Sequence, residues 1–129
     1  MEIKNNLDKS ILLVEDDFIT VKLIENLFDD ICNIENAINA KQAIKMAKSK
    51  NYDAIIMDIN LGKSENGMFA TREIRKLDNY KNTAIIALTA FTMMGDKEEF
   101  LKGGCTHYVP KPIEINPFID LIKGILGID

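Results

Sequence analysis

A chain of 129 residues, 47% hydrophobic and 28% charged, is long enough for one globular domain and too short for two. A domain of this size buries roughly two-thirds of the surface its unfolded chain exposes, so it needs neither a disulfide scaffold nor a structural metal. The net charge of −4, from 20 acids against 16 bases, excludes the basic face with which nucleic-acid binders displace counterions from phosphates.

No apolar run approaches the roughly 20 residues of a membrane helix. The opening MEIKNNLDKS is polar and mixed in charge, unlike a signal peptide. Two cysteines, Cys32 and Cys105, both in apolar surroundings, suit small buried hydrophobes in a reducing cytoplasmic compartment. The single histidine, His107, cannot build a multi-histidine metal site or a convincing Ser-His-Asp triad.

In chain order, residues 1–9 form a polar arm and residues 10–127 the domain. The first strand is expected over Ile11–Val14, followed by a helix with Val21, Ile24 and Phe28 on one face and Leu27 beside them. The second strand, Ile31–Ala37, is interrupted by Asn33, Glu35 and Asn36, which suits a place nearer an edge. Ala40, Ala43, Ile44 and Ala47 mark the next helix. Strands at Tyr52–Asp58 and Thr83–Leu88 are almost continuously apolar, as strands covered on both faces must be. Between them Ala70, Ile74 and Leu77 repeat the helical spacing. A fourth helix carries Phe100 and Leu101 inward and ends at Gly103-Gly104. Then come a strand at Thr106–Val109 and a last helix, capped by Asn116 with Pro117 at its first position and with Phe118, Leu121, Ile122 and Ile125 inward. Five βα units predict an α/β fold, a parallel sheet with helices on both faces and a ligand crevice at the carboxyl ends of the strands.

Those ends carry chemistry. The first strand runs into Glu15-Asp16-Asp17, the third ends at Asp58, the fourth at Thr89 and the fifth shortly before Lys111. Only the second brings nothing comparable. Singly, each is an ordinary loop acid, cap or surface lysine, and Asp17 reads as the cap of the first helix. Together, Glu15, Asp16 and Asp58 converge if the first and third strands are neighbours, with repulsion on the order of several kcal/mol at an effective dielectric near 20. A hard cation relieves it, and oxygen donors at a shallow rim suit Mg²⁺.

The motifs ILLVEDD, DAIIMDINL, IIALTA and YVPKP, in this order and spacing, resemble the receiver domain of two-component response regulators (the chemotaxis-regulator-like superfamily) over nearly the whole chain. The resemblance implies a doubly wound, flavodoxin-like sheet of strand order 2-1-3-4-5. It implies Asp58 as phosphoacceptor, taking its phosphoryl group from a sensor histidine kinase or histidine phosphotransfer protein. Asp16 matches a direct Mg²⁺ ligand, Glu15 one acting through water, and Asn60 a ligand through its backbone carbonyl. Thr89 and Tyr108 match a switch pair. Lys111 matches the lysine that pairs with Asp58 at rest and with phosphate afterwards, with a cis bond before Pro112. Phe91 occupies a position that shields the phosphate.

The surface of the fourth helix, fifth strand and fifth helix would be read by an unidentified downstream protein, and a homodimer would form through it. No nucleic acid or membrane is expected as a direct partner. The domain would be a switch, catalysing only its own phosphoryl transfer and dephosphorylation, either stand-alone or part of a hybrid kinase. The alternative is a receiver-like module that binds partners without phosphorylation. A phosphatase of the haloacid-dehalogenase type would want a second acid where Asn60 stands, and a flavin carrier's phosphate would be repelled by Glu15-Asp16-Asp17. Met57, Met68, Met93 and Met94 read as core fillers. His107 alternates with Tyr108, points to the opposite face and takes no role.

Overall fold

The computed structural model describes residues 8–60, 67–90 and 96–128. Residues 1–7 of the polar arm, Phe91, Met93 and Met94 lie outside them. Five parallel strands, β1 (Ser10–Val14), β2 (Asn33–Ala37), β3 (Ala54–Asp58), β4 (Ala84–Thr89) and β5 (His107–Pro110), lie side by side in the order β2-β1-β3-β4-β5. The helices are α1 (Phe18–Leu27), α2 (Ala40–Ser49), α3 (Gly67–Arg75), α4 (Asp96–Lys102) and α5 (Ile115–Leu126).

Alternation along the strands sorts the core into two layers. Ile11, Leu13, Ala54, Ile56, Ile86 and Leu88 face α1 and α5, where Phe28 meets Phe118 edge to face at 5.7 Å. Leu12, Val14, Ile55, Met57, Ile85 and Ala87 face the other way, onto Ala40, Ala43 and Ala47 of α2, Ala70 and Ile74 of α3 and Phe100 of α4. The alanines of α2 let that helix lie close to the sheet. β1 and β3 are buried at every position, whereas β2 is the half-exposed edge the sequence suggests.

Strand ends shift from expectation by one or two residues, and three differences stand out. β2 begins at Asn33 rather than Ile31, because the amides of Ile31 and Cys32 turn back onto the carbonyl of Phe28 and close the end of α1. α5 begins two residues early: Glu114 is its cap residue, Phe118 N–H donates to the Glu114 carbonyl, and Asn116 and Pro117 sit inside the first turn. Pro117 costs nothing there, since first-turn N–H groups have no partner within the helix. Leu101 points outward, 41% exposed, while Phe100 takes the inward place.

The expected stops and caps hold elsewhere. Asp17 accepts from the amide and the hydroxyl of Thr20 at 3.2 and 2.6 Å. Gly104, at φ +115°, follows α4 in a conformation that favours glycine. Burial pushes the thiols of Cys32 and Cys105 up to about 11, so both are inert fillers.

Candidate functional site

At the carboxyl rim the last rungs of β1, β3 and β4 lie level, with Val14 beside Met57 and Asp58 beside Leu88. The chain therefore leaves three adjacent strands at one place. Glu15, Asp16 and Asp58 each turn a carboxylate oxygen into a common space, all within 4.8 Å of one another. Glu15 is fully buried and Asp58 nearly so, while Asp16 is exposed. Two unit charges that close repel by about 3 kcal/mol at an effective dielectric of 20.

Lys111, from the segment after β5, meets this charge. Its Nζ donates to Glu15 Oε1 at 2.9 Å and stands 3.7 Å from Asp58 Oδ2. The resting partner of Lys111 is thus Glu15 first and Asp58 second, a shift from the expected Lys111–Asp58 pair. Both carboxylates are almost fully buried, so each depends on Lys111 and the metal site rather than on bulk water for compensation. That burial raises the Glu15 carboxyl above its ordinary value, Lys111 pulls it down, and neighbouring Asp58 pushes it up again. Burial works against the charge of Lys111, yet Glu15 and Asp58 outweigh it and hold its pKa up.

Asp58 is held by the segment that follows it. The amide of Asn60 donates to Asp58 Oδ1 at 3.0 Å, and the Asn60 side chain reaches Thr89 Oγ1 at 3.4 Å. Gly67 packs on the same strand end. A Cβ there would lie 2.3 Å from the Asp58 carbonyl oxygen and 2.9 Å from Ile59 Cα, both backbone atoms. Thr89 is buried on the far side, and its carbonyl accepts from the amide of Lys111 at 2.8 Å. The Lys111–Pro112 peptide is cis, as expected. Tyr108 is half-buried on the α2-α3-α4 face, its ring stacked on Phe100 at 5.7 Å and 17°. His107, on the other face, has its Nδ1 2.8 Å from the Thr106 hydroxyl.

Glu15, Asp16, Asp58, Asn60, Thr89 and Lys111 therefore meet at one rim, with Tyr108 one strand aside. The second strand, expected to bring nothing, brings Asn36. Its side-chain amide lies 2.9 Å from the carbonyl of Leu13 and 3.1 Å from that of Glu15. The signal was an amide immediately before Ala37, the last residue of its strand, but in a polar edge run it read as an interruption. Three convergent carboxylates without nitrogen or sulfur donors fit a hard divalent ion, and a shallow rim leaves room for its waters.

A five-stranded parallel sheet in this order is a flavodoxin-like fold, and the acids lie at the carboxyl rim where such sheets bind ligands. The response regulator receiver domain family matches residues 11–123, and the chain belongs to that family. The polar-differentiation response regulator DivK of Brucella anthropi is 35% identical over 120 residues, 92% of this chain and 97% of the relative. The receiver domain of a sensor histidine kinase of Pseudomonas aeruginosa, solved with a magnesium ion coordinated in its active-site cleft, superposes with a TM-score of 0.83. It shares 34% identity, over 92% of this chain and 98% of that one. Chemotaxis protein CheY4 of Vibrio cholerae shares the fold at a TM-score of 0.84 and 24% identity, over 91% of this chain and 98% of that one. Among the described residues, no helix is long and apolar enough to cross a membrane.

Proposed function

We propose that this receiver domain accepts a phosphoryl group on Asp58 from a phosphohistidine of a sensor kinase or phosphotransfer protein, and acts as a cytoplasmic switch. The observation that carries this is the convergence of Glu15, Asp16 and Asp58 at one rim, with Lys111 as their cation.

In the transfer, an Asp58 oxygen bonds to phosphorus as the bond from phosphorus to the donor nitrogen breaks, giving an acyl phosphate and a free imidazole. Asp16 and Asp58, with Glu15 and the Asn60 carbonyl, would hold Mg²⁺, which would supply positive charge to offset that of the incoming phosphoryl group. The Asn60 amide on Asp58 Oδ1 fixes the carboxylate, leaving one oxygen to attack. Lys111 has only a short way to move from Glu15 to a phosphoryl oxygen on Asp58. The new group adds about −1.5 to −2 charges and strong acceptors beside Thr89.

Drawn toward that acceptor, the Thr89 hydroxyl moves away from the Asn60 side chain. Tyr108, on the neighbouring strand, leaves its stack on Phe100 and changes the face of α4, β5 and α5. A groove beside it, lined by Tyr108, Pro110, Pro117 and Leu121, is where the downstream partner or a second copy reads the change. The donor approaches the opposite side of the rim. There Phe18 and Ile19 are 70% and 75% exposed on the first turn of α1, and Leu23 borders Pro112 and Ile113.

Intact mass after incubation with acetyl phosphate, with and without Mg²⁺, tests the phosphoacceptor role. One added phosphoryl group that requires Mg²⁺ and is absent in Asp58→Asn is expected. No adduct and no release of phosphate by folded protein would instead favour a phosphorylation-independent binding module.

A further inference from the structure

Glu15 and Asp16 sit on a loop whose shape is largely imposed by the neighbouring strand β2. Beyond the last rung of the β1–β2 ladder, Val14 beside Ala37, three consecutive peptides are pinned in turn. The N–H of Glu15 donates to the Ala37 carbonyl at 2.9 Å. The carbonyl of Glu15 accepts from the Asn36 side chain at 3.1 Å. The N–H of Asp17 donates to Glu15 Oε2 at 3.1 Å.

The middle contact decides most. The Glu15 carbonyl belongs to the peptide that joins Glu15 to Asp16, so holding it sets the plane from which the Asp16 side chain departs. Asn36 is itself anchored, since the same nitrogen lies 2.9 Å from the Leu13 carbonyl and 3.2 Å from that of Ala37. Asp16 is exposed and stands near two other carboxylates, so repulsion alone would turn it outward. Only a fixed backbone keeps it facing them.

We infer that Asn36 is a positioning residue for the metal site: its amide orients the Glu15–Asp16 peptide and so sets the affinity of the rim for Mg²⁺. The inference rests on the Mg²⁺-dependent reading of that rim. Groups that orient a ligand from behind typically change metal affinity by about tenfold or more when removed. A neutral amide suits the task, because a carboxylate at the same place would face three carbonyl oxygens.

The test is a Mg²⁺ titration of the parent, Asn36→Leu and Glu35→Leu, followed by amide NMR shifts at Glu15–Asp17. Glu35 is the strand neighbour, bonded instead to Tyr52 and Lys50, and serves as the control for a merely structural change. Asn36→Val, suited to an edge strand, is the second variant should the leucine disturb folding. Asn36→Leu is expected to weaken Mg²⁺ binding by about tenfold, while Glu35→Leu leaves it unchanged. The rate of labelling by acetyl phosphate should fall in Asn36→Leu at low Mg²⁺ and recover at saturating Mg²⁺. A folded Asn36→Leu or Asn36→Val protein with parental Mg²⁺ affinity overturns the inference. A parent that binds no Mg²⁺ removes the reading beneath it, and the inference with it.

Discussion

The sheet handles acidic side chains in opposite ways at its carboxyl rim and away from it. Away from the carboxyl rim, Glu35 in the middle of β2 and Asp53 just before β3 each meet donors of their own. Glu35 accepts from Lys50 and from the Tyr52 hydroxyl, and Asp53 accepts from the amide of Ser10 at 2.8 Å. Lys50 and then Tyr52 hold the Glu35 carboxyl below its ordinary value. At the carboxyl end, three acids share one lysine among the described residues, and burial holds Glu15 above its ordinary value. The first arrangement lowers the energy of the resting fold. The second leaves negative charge in excess, which a cation and a transferred phosphoryl group are suited to use. Perturbed carboxylates in a concentrated cluster are the usual mark of a site, and paired ones the mark of a scaffold.

The contrast can be broken most forcefully at Lys111. In Lys111→Met the buried Glu15 loses its cation, and because Lys111 is itself about a quarter exposed the cost should be about 2 kcal/mol, below the range for a fully buried pair. Urea unfolding at neutral pH measures it, and labelling by acetyl phosphate should slow as well. Parental stability in that variant would mean that Glu15 needs no partner.

Gly67→Ala tests the rim through backbone. The added Cβ meets the Asp58 carbonyl and Ile59 Cα, neither of which can swing aside, so a loss of about 2 kcal/mol and slower labelling at Asp58 are expected. A variant that keeps both parental values would show that the strand end yields to the contact.

Two pH profiles sharpen the comparison further. Folded protein holds the Glu15 proton more tightly than the unfolded chain, so stability falls as pH rises from about the unfolded value of 4.5 through the raised one. Glu15→Gln should therefore be more stable than the parent at pH about 7 and indistinguishable from it below the unfolded value. Glu35 behaves in the reverse sense. Its contribution is present above the unfolded value of 4.5 and is lost as pH falls through its lowered one. Glu35→Gln should be slightly less stable at neutral pH and lose less than the parent on acidification. Its carboxylate is well exposed, so this is the smallest of the four effects. Thermal unfolding at several pH values reads both variants, and slopes of the same sign would erase the distinction between the two regions.

Much of this was legible in the sequence because short range and long range agreed. Apolar runs with acids, a threonine and a lysine just beyond them fix both the strands and the rim they share, so Glu15, Asp58, Thr89 and Lys111 could be grouped before any contact was known. Contacts between side chain and backbone were not legible. Asn36 reads as a flaw in an edge strand until its amide is seen beneath the Glu15 carbonyl. The preference of Lys111 for Glu15 over Asp58 is a matter of 2.9 against 3.7 Å in the folded rim, which composition does not encode. The start of α5 was misplaced because Asn-Pro is a strong local signal, and the chain continued the helix through it.

The most direct test of the central claim is to locate the phosphoryl group. Protein labelled with acetyl phosphate and Mg²⁺ is reduced with borohydride, which converts an aspartyl phosphate to homoserine, and its peptides are mapped by mass. Homoserine at Asp58 alone, absent without Mg²⁺, is the result predicted here. Modification at Asp16, or at no carboxylate in a protein that otherwise binds Mg²⁺, would contradict it.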